Sequence, residues 1–179
     1  FARNYRTGRT ARPREVAQVM FSIGTVYENQ HNWTKTVDHY RSWLRTYGRA
    51  APPQLTIQAN IHIARAFRET NNATQAAPFF ADAVRIWERG APEAIARLDN
   101  MDDAAKAGAL LEAKTGVSEA LFHQAEVLYI AYNRIRFPEY NGEGNLEAVT
   151  RWATGPFKSW LDRKKAALDA AEAAYNKLV

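Results

Sequence analysis

Cysteine is absent from the 179 residues. Disulfides, thiolate metal centres and cysteine nucleophiles are therefore excluded, and the redox compartment is left undetermined. No apolar run approaches the ~18 residues of a membrane-spanning helix. The opening stretch, FARNYRTGRTARPRE, lacks the apolar core of a secretory signal. An initiating methionine is also missing, and the last residues, AYNKLV, read as the inside of a helix. The chain is thus expected to be an excised or processed piece, for which a missing signal does not argue against export.

Motifs that would carry chemistry are equally scarce. No HExxH, Cys/His, GxGxxG or phosphate-loop pattern occurs. Gly142 and Gly144 sit in an acidic loop unsuited to phosphate. His31, His39, His62 and His123 are scattered over different helices and turns. His123 and Glu126 stand three apart on one helix, the reverse of the Glu-x-x-His order of di-iron bundles, which also need a second copy. A helical metal protein or enzyme around this pair is one alternative reading; a groove or surface pair is the other. Net charge is +5, unevenly placed: Arg3, Arg6, Arg9, Arg12 and Arg14 all precede the first acid, Glu15. Residues 1–15 are therefore either a basic arm for nucleic acid or anionic membrane, or a solvated tail or the end of a preceding helix. No cofactor and no small-molecule substrate is expected.

What the sequence does have is helical periodicity. Strand signals are weak, with few β-branched runs and no Asn-Gly between alternating segments. Val16, Val19, Met20, Ile23 and Tyr27 recur at steps of three and four, one face of a helix. ENQHN interrupts, and Asn32 is placed to cap a second helix whose inner face is Trp33, Val37, Tyr40 and Leu44. TYGRAAPP ends it, with Gly48 expected in the left-handed conformation and Pro52-Pro53 unable to continue. The plan then repeats. Ile57, Ile61, Ala64 and Phe67 line one helix, RETNN turns, and Asn72 caps the next, with Gln75 placed for a capping box. Phe79, Phe80, Ala83 and Trp87 face inward, and RGAP closes the unit. Pro78 falls inside this helix, where a lost hydrogen bond and a kink are expected at ~3 kcal/mol. Two Asn-x-Thr sequons, Asn32-Trp33-Thr34 and Asn72-Ala73-Thr74, occupy equivalent helix starts and read as caps rather than glycan acceptors.

Paired helices of this kind resemble the tetratricopeptide repeat (TPR), whose signature is W-x2-L-G-x2-Y followed by A-x3-F over about 34 residues. Met20, Ile23, Gly24 and Tyr27 with Thr36 and Tyr40 make one copy. Asn60, Ile63, Ala64 and Phe67 with Ala76 and Phe80 make the next, Asn60 departing from the large apolar residue of the pattern. Gly24 and Ala64 are the small positions where two helices approach closely; they stand 40 residues apart (64 − 24). A third first-helix follows in SEALFHQAEVLYIAY, with Leu121, Gln124, Ala125 and Leu128 in register. FPEYNGEGN is a loop, LEAVTRWATGP follows, and a long helix opens with Pro156 near its first turn. Ala171 and Tyr175 reproduce A-x3-F, so that helix either completes the third pair or starts a fourth. The intervening PEAIARLDNMDDAAKAGALLEAKTG is helical by composition, with Asp102 or Asp103 as cap; whether it joins the next helix across Gly116 is open.

The resemblance implies an all-α fold: a right-handed superhelical array of antiparallel helix pairs, a TPR-like solenoid. Residues 16–90 would hold two pairs. Residues 91–179 would form an extended third unit, with a loop at 137–155 and a long terminal helix at 156–179. The last third, EALFHQAE and KKAALDAAEAAYNKLV, is also similar to envelope-associated TPR proteins of delta-proteobacteria, including components of gliding-motility machinery, which implies a periplasmic scaffold.

In such an array the first helices line a concave groove that binds a peptide or helix. Here that groove would present Gln18, Phe21, Thr25 and Asn29, then Gln58, Ile61, Arg65 and Arg68, then Glu119, Phe122, Glu126 and Tyr129. Phe21, Ile61 and Phe122 occupy the same place in each unit and are expected to form an apolar patch, or to pack under the intervening helix or the basic arm. Phe21 and Thr25 replace the first residues of the Lys/Asn carboxylate clamp, so that mode is not expected. Arg65 and Arg68 suit an acidic partner. The expected function is protein–protein interaction, without a catalytic residue.

Overall fold

A computed structural model describes residues 13–99, 101–142 and 144–178, and among them all regular structure is helical. In chain order the helices are α1 (Pro13–Asn29), α2 (Trp33–Tyr47), α3 (Pro53–Glu69), α4 (Ala73–Glu88), α5 (Ala91–Ala96), α6 (Asp103–Arg134), α7 (Leu146–Trp152) and α8 (Lys158–Tyr175). The chain separates into two compact units, one running to Ala120 and the other from Leu121 to Leu178. That boundary lies inside α6. Arg3, Arg6, Arg9 and Arg12 lie outside the described residues. Arg14 belongs to α1, which begins within the expected arm.

In the first unit each helix packs on the next from α1 to α4; α1 also touches α3, and α5 closes over α3 and α4. The two hairpin turns are built alike. His31 (φ 53°) and Asn71 (φ 57°) take the left-handed conformation, one that His and Asn adopt more readily than most side chains. Behind them the amides of Asn32 and Asn72 reach back to the carbonyls of Tyr27 (2.9 Å) and Phe67 (2.8 Å). This is the six-to-one bond of a Schellman ending. The same two asparagines then turn their side chains forward, accepting from the amides of Lys35 (3.3 Å) and Gln75 (3.4 Å). One residue thus ends a helix and starts the next. The reciprocal half of the expected capping box is not made, because the Asn72 amide is already taken by Phe67.

Other local expectations are corrected. Gly48 is right-handed (φ −56°, ψ −31°); α2 ends at Tyr47, whose carbonyl accepts from the amides of Ala50 and Ala51 at 2.9 Å, and Pro52 and Pro53 open α3. Pro78 is tolerated within α4: the carbonyl left without its amide belongs to Thr74, which is exposed and open to water. Gly90 (φ 98°) makes the left-handed turn into α5. On α1 the inward face is Ala17, Phe21 and Gly24. Val19, Ile23 and Val26 form an exposed row instead.

The core of the first hairpin is aromatic. Tyr40 and Trp43 are buried, and the Trp43 indole donates to the Ala17 carbonyl at 2.7 Å. His39 Nε2 lies 2.7 Å from the Met20 carbonyl. Phe21 packs against Tyr40 and Trp43 at centroid distances of 5.1 and 5.2 Å. Tyr40 lies directly over Gly24, where an added Cβ would stand 2.6 Å from its Cε2 and 2.7 Å from its Cε1. The glycine at position 24 thus has a steric cause.

Asp102 caps α6, accepting from the Ala105 amide at 2.7 Å, and the helix then runs unbroken through Gly108 and Gly116. In the second unit α8 returns antiparallel along the second half of α6. Tyr175 meets Phe122 (6.2 Å between rings), and Lys164 Nζ donates to the Tyr132 carbonyl at 2.8 Å while lying over its ring. The long last helix is therefore α6's partner. The loop is shorter than 137–155, because Asn145 caps α7, accepting from Ala148 at 2.8 Å. Pro156, expected to open a helix, instead sits in a π turn (Ala153–Phe157) that joins α7 to α8. Its missing amide is accommodated by that wider turn.

Replacing Gly24 by Ala separates two effects of opposite sign. Helix propensity alone would add about 1 kcal/mol to stability, whereas overpacking Tyr40 removes about 1–3 kcal/mol. Urea unfolding is expected to show a net loss; a gain would mean that Tyr40 withdraws freely.

Candidate partner-binding surfaces

Within the first unit the proposed groove is already occupied. The first turns of α6 run parallel to α3 and lie against it. Gln58 Nε2 donates to the Glu112 carbonyl at 2.6 Å. A Cβ on Gly116 would meet Gln58 and Ile61 at 3.2 Å and Ile57 at 3.4 Å. Arg65 grips Glu119 with two nitrogens, Nε lying 2.8 and 3.1 Å from the two carboxylate oxygens and Nη2 closing on Oε2. Ile61 is 0% exposed, so it is not part of an open patch. The cause is a stripe of small side chains: Ala109, Ala113, Val117 and Ala120 are all buried, which lets α6 approach closely. That four-, four- and three-residue spacing was the signal in the sequence for this contact.

Phe21 is half-buried, its ring also 5.8 Å from His62, and so is not a groove residue either. Thr25 is half-buried, with its hydroxyl bonded to the Ser22 carbonyl at 2.7 Å. Gln18, Asn29 and Arg68 are exposed; on the second half of α6, Phe122 and Tyr129 are exposed and Glu126 half-buried. Within the first unit the expected groove residues therefore do not form one open surface. Among the described residues no three metal-ligating side chains converge, and the His123 ring lies beside Phe122 (5.7 Å).

Between α1 and α3 a polar cluster takes the groove's place. Glu28 Oε2 stands 2.6 Å from His62 Nδ1. The His62 ring stacks on Tyr40 at 4.8 Å with 6° between planes. Burial raises the Glu28 pKa, but the hydrogen-bonding and charge of His62, with the Arg65 charge, outweigh it and leave the carboxyl below its ordinary 4.5. Burial, with a smaller contribution from the Glu28 charge, pushes the Tyr40 phenol well up. Its hydroxyl is buried and has no hydrogen-bond partner among the described residues.

Open features are found in both units among the described residues. One is an apolar surface in the second unit. Leu121, Ala125 and Ala171 are its buried hydrophobic residues among those described, whereas Val127 is 63%, Phe137 58% and Leu146 83% exposed. Leu128, Tyr129 and Ile130 are exposed beside Val127, so four consecutive apolar side chains of α6 reach solvent. The other is a cleft of about 210 Å³ where α2, α3 and α4 meet, lined among others by Trp33, Val37, Asp38, Arg41, Phe67 and Gln75. Sequence reasoning missed it, although Trp33, Val37 and Arg41 follow one another at four-residue steps on α2. The chain matches no protein-family model, and no curated protein or solved structure shows significant similarity to it.

A pH dependence follows from Glu28. Its folded pKa is lowered, so its stabilising contribution is complete above 4.5 and is lost as pH falls through the folded value, where the unfolded chain binds more protons. Glu28→Gln is expected to flatten the acid limb of the stability–pH curve below pH 4.5 in denaturant titrations. An unchanged limb would remove Glu28 from the account.

Proposed function

We propose that this chain is a protein-interaction scaffold: stacked TPR-like hairpins in a right-handed solenoid, presenting the uncovered turns of α6 to a protein partner. The identical construction of the hairpin turns at His31-Asn32 and Asn71-Asn72 supports the repeat reading. So does the Gly24–Tyr40 contact, which gives the small position of the repeat its steric role.

The single observation that carries the partner reading is the run Val127–Ile130. A helix apolar on every side is normally covered, and contiguous exposed apolar surface marks interaction sites. Phe122, also exposed on α6, extends the same surface. Arg65 is committed to Glu119, so it does not select an acidic partner. The function proposed is binding, not catalysis, and the setting suggested by the resemblance of the last third is a cell-envelope assembly.

The test is a Val127→Asp, Ile130→Asp variant, both positions being exposed. Such surface changes usually alter stability by no more than about 0.5 kcal/mol each, so circular dichroism and the urea midpoint should stay near the parent's. Binding to a partner captured by the parent chain should weaken by at least about tenfold, or ~1.4 kcal/mol. Full retention of that partner would move the surface elsewhere, and Gln18→Glu with Arg68→Glu would then test the exposed remainder of the groove.

A further inference from the structure

The cleft between α2, α3 and α4 holds two opposite charges that do not meet. Asp38 and Arg41 stand one turn apart on α2 and both line the cleft. Among the described residues neither has an ion-pair or hydrogen-bond partner. Spacing does not explain this. Asp82 and Arg85 on α4 have the same order and separation, and they close at 2.6 Å.

The difference lies in what holds Arg41. Its guanidinium carbon sits 5.2 Å from the Phe67 ring centroid and 5.3 Å from that of Phe79. Those two rings stack on each other at 5.8 Å. Held over aromatic faces, a guanidinium keeps its N–H edge available, and that edge matches a carboxylate bidentately. Asp38 supplies an acceptor-only group one turn away. Trp33, Val37 and Phe67 give the same cleft apolar lining. The cleft, about 210 Å³, is smaller than the ~300–1,000 Å³ of sites for drug-sized ligands.

We infer that this cleft binds a free α-amino acid with an apolar side chain, its carboxylate on Arg41, its ammonium on Asp38 and its side chain against Trp33 and Phe67. A ligand carrying both charges on one carbon completes both side chains at once, which neither a simple anion nor a simple cation does. The site lies within the first unit, is independent of the α6 surface and does not depend on the scaffold reading.

Calorimetric titration of the full chain tests this with L-leucine, L-leucine methyl ester and N-acetyl-L-leucine. L-Leucine should bind saturably, with Trp33 fluorescence reporting the event. The ester, lacking the carboxylate, and the acetyl derivative, lacking the ammonium, should each bind at least about tenfold more weakly, the usual consequence of losing a charged hydrogen-bonding partner. Arg41→Gln and Asp38→Asn should each weaken L-leucine to a similar degree. Arg41→Lys, which keeps the charge and loses the planar fork, should also weaken it, and Arg45→Gln, outside the cleft, should leave it unchanged. Absence of saturable binding would overturn the inference. So would equal binding of the ester or the acetyl derivative, or undiminished binding by folded Arg41→Gln.

Discussion

The Tyr40 ring fills the space that Gly24 leaves open, and the first hairpin is organised around that exchange. A ring this large can lie flat against a helix backbone only where no Cβ projects. Once it does, Trp43, one turn further along α2, is carried to the Ala17 carbonyl, and Phe21 is wedged against both rings. His62 of α3 then stacks on Tyr40. The contact between α1 and α2 thereby sets where α3 sits. The cluster is dense in rings and contains one buried phenolic hydroxyl with no described partner, which costs about 1–3 kcal/mol relative to a satisfied one. Aromatic packing is what offsets that penalty.

Polar groups in this unit specify rather than merely solvate. Arg65 and Glu119 meet as a multidentate pair, the geometry in which guanidinium and carboxylate bind best. Partly exposed as they are (40% and 22% of their side-chain surface), they contribute register more than energy. Gln58 on the Glu112 carbonyl adds a second pin a turn or two earlier. A helix resting on small side chains alone could slide along its neighbour. These two polar contacts fix where α6 stops along α3.

Much of this was legible in the sequence, for identifiable reasons. Caps at Asn32, Asn72 and Asp102 are decided by residues within three positions, so local chemistry sufficed. Gly24 announced a close approach because a glycine within a helical pattern weakens the helix unless a neighbour needs the space. The groove was not legible. Helical spacing puts Ile61 and Arg65 on one face correctly, but what covers that face depends on where α6 begins and which of its sides is smooth. The clue lay in Ala109, Ala113, Val117 and Ala120, which composition registers only as helix-forming. Val19 and Ile23 failed differently: α1 carries more apolar residues than one neighbour can cover, and periodicity alone does not say which row is turned inward. The cleft around Arg41 depends on two phenylalanines from other helices, and no pattern within α2 reveals them.

The double duty of Asn32 and Asn72 also bears on how such a chain can change in length. Its amide closes one helix and its side chain opens the next, so inserting or deleting a single residue in either hairpin turn would remove one of the two roles. Those turns are in effect length-locked. Among the described residues the connection from Tyr47 to Pro53 shows no such doubled role, and it is there that insertions can accumulate without unmaking a hairpin. Two hairpins built this way can stand at any spacing along the chain, here 40 residues from Gly24 to Ala64 (64 − 24), while each keeps its own turn.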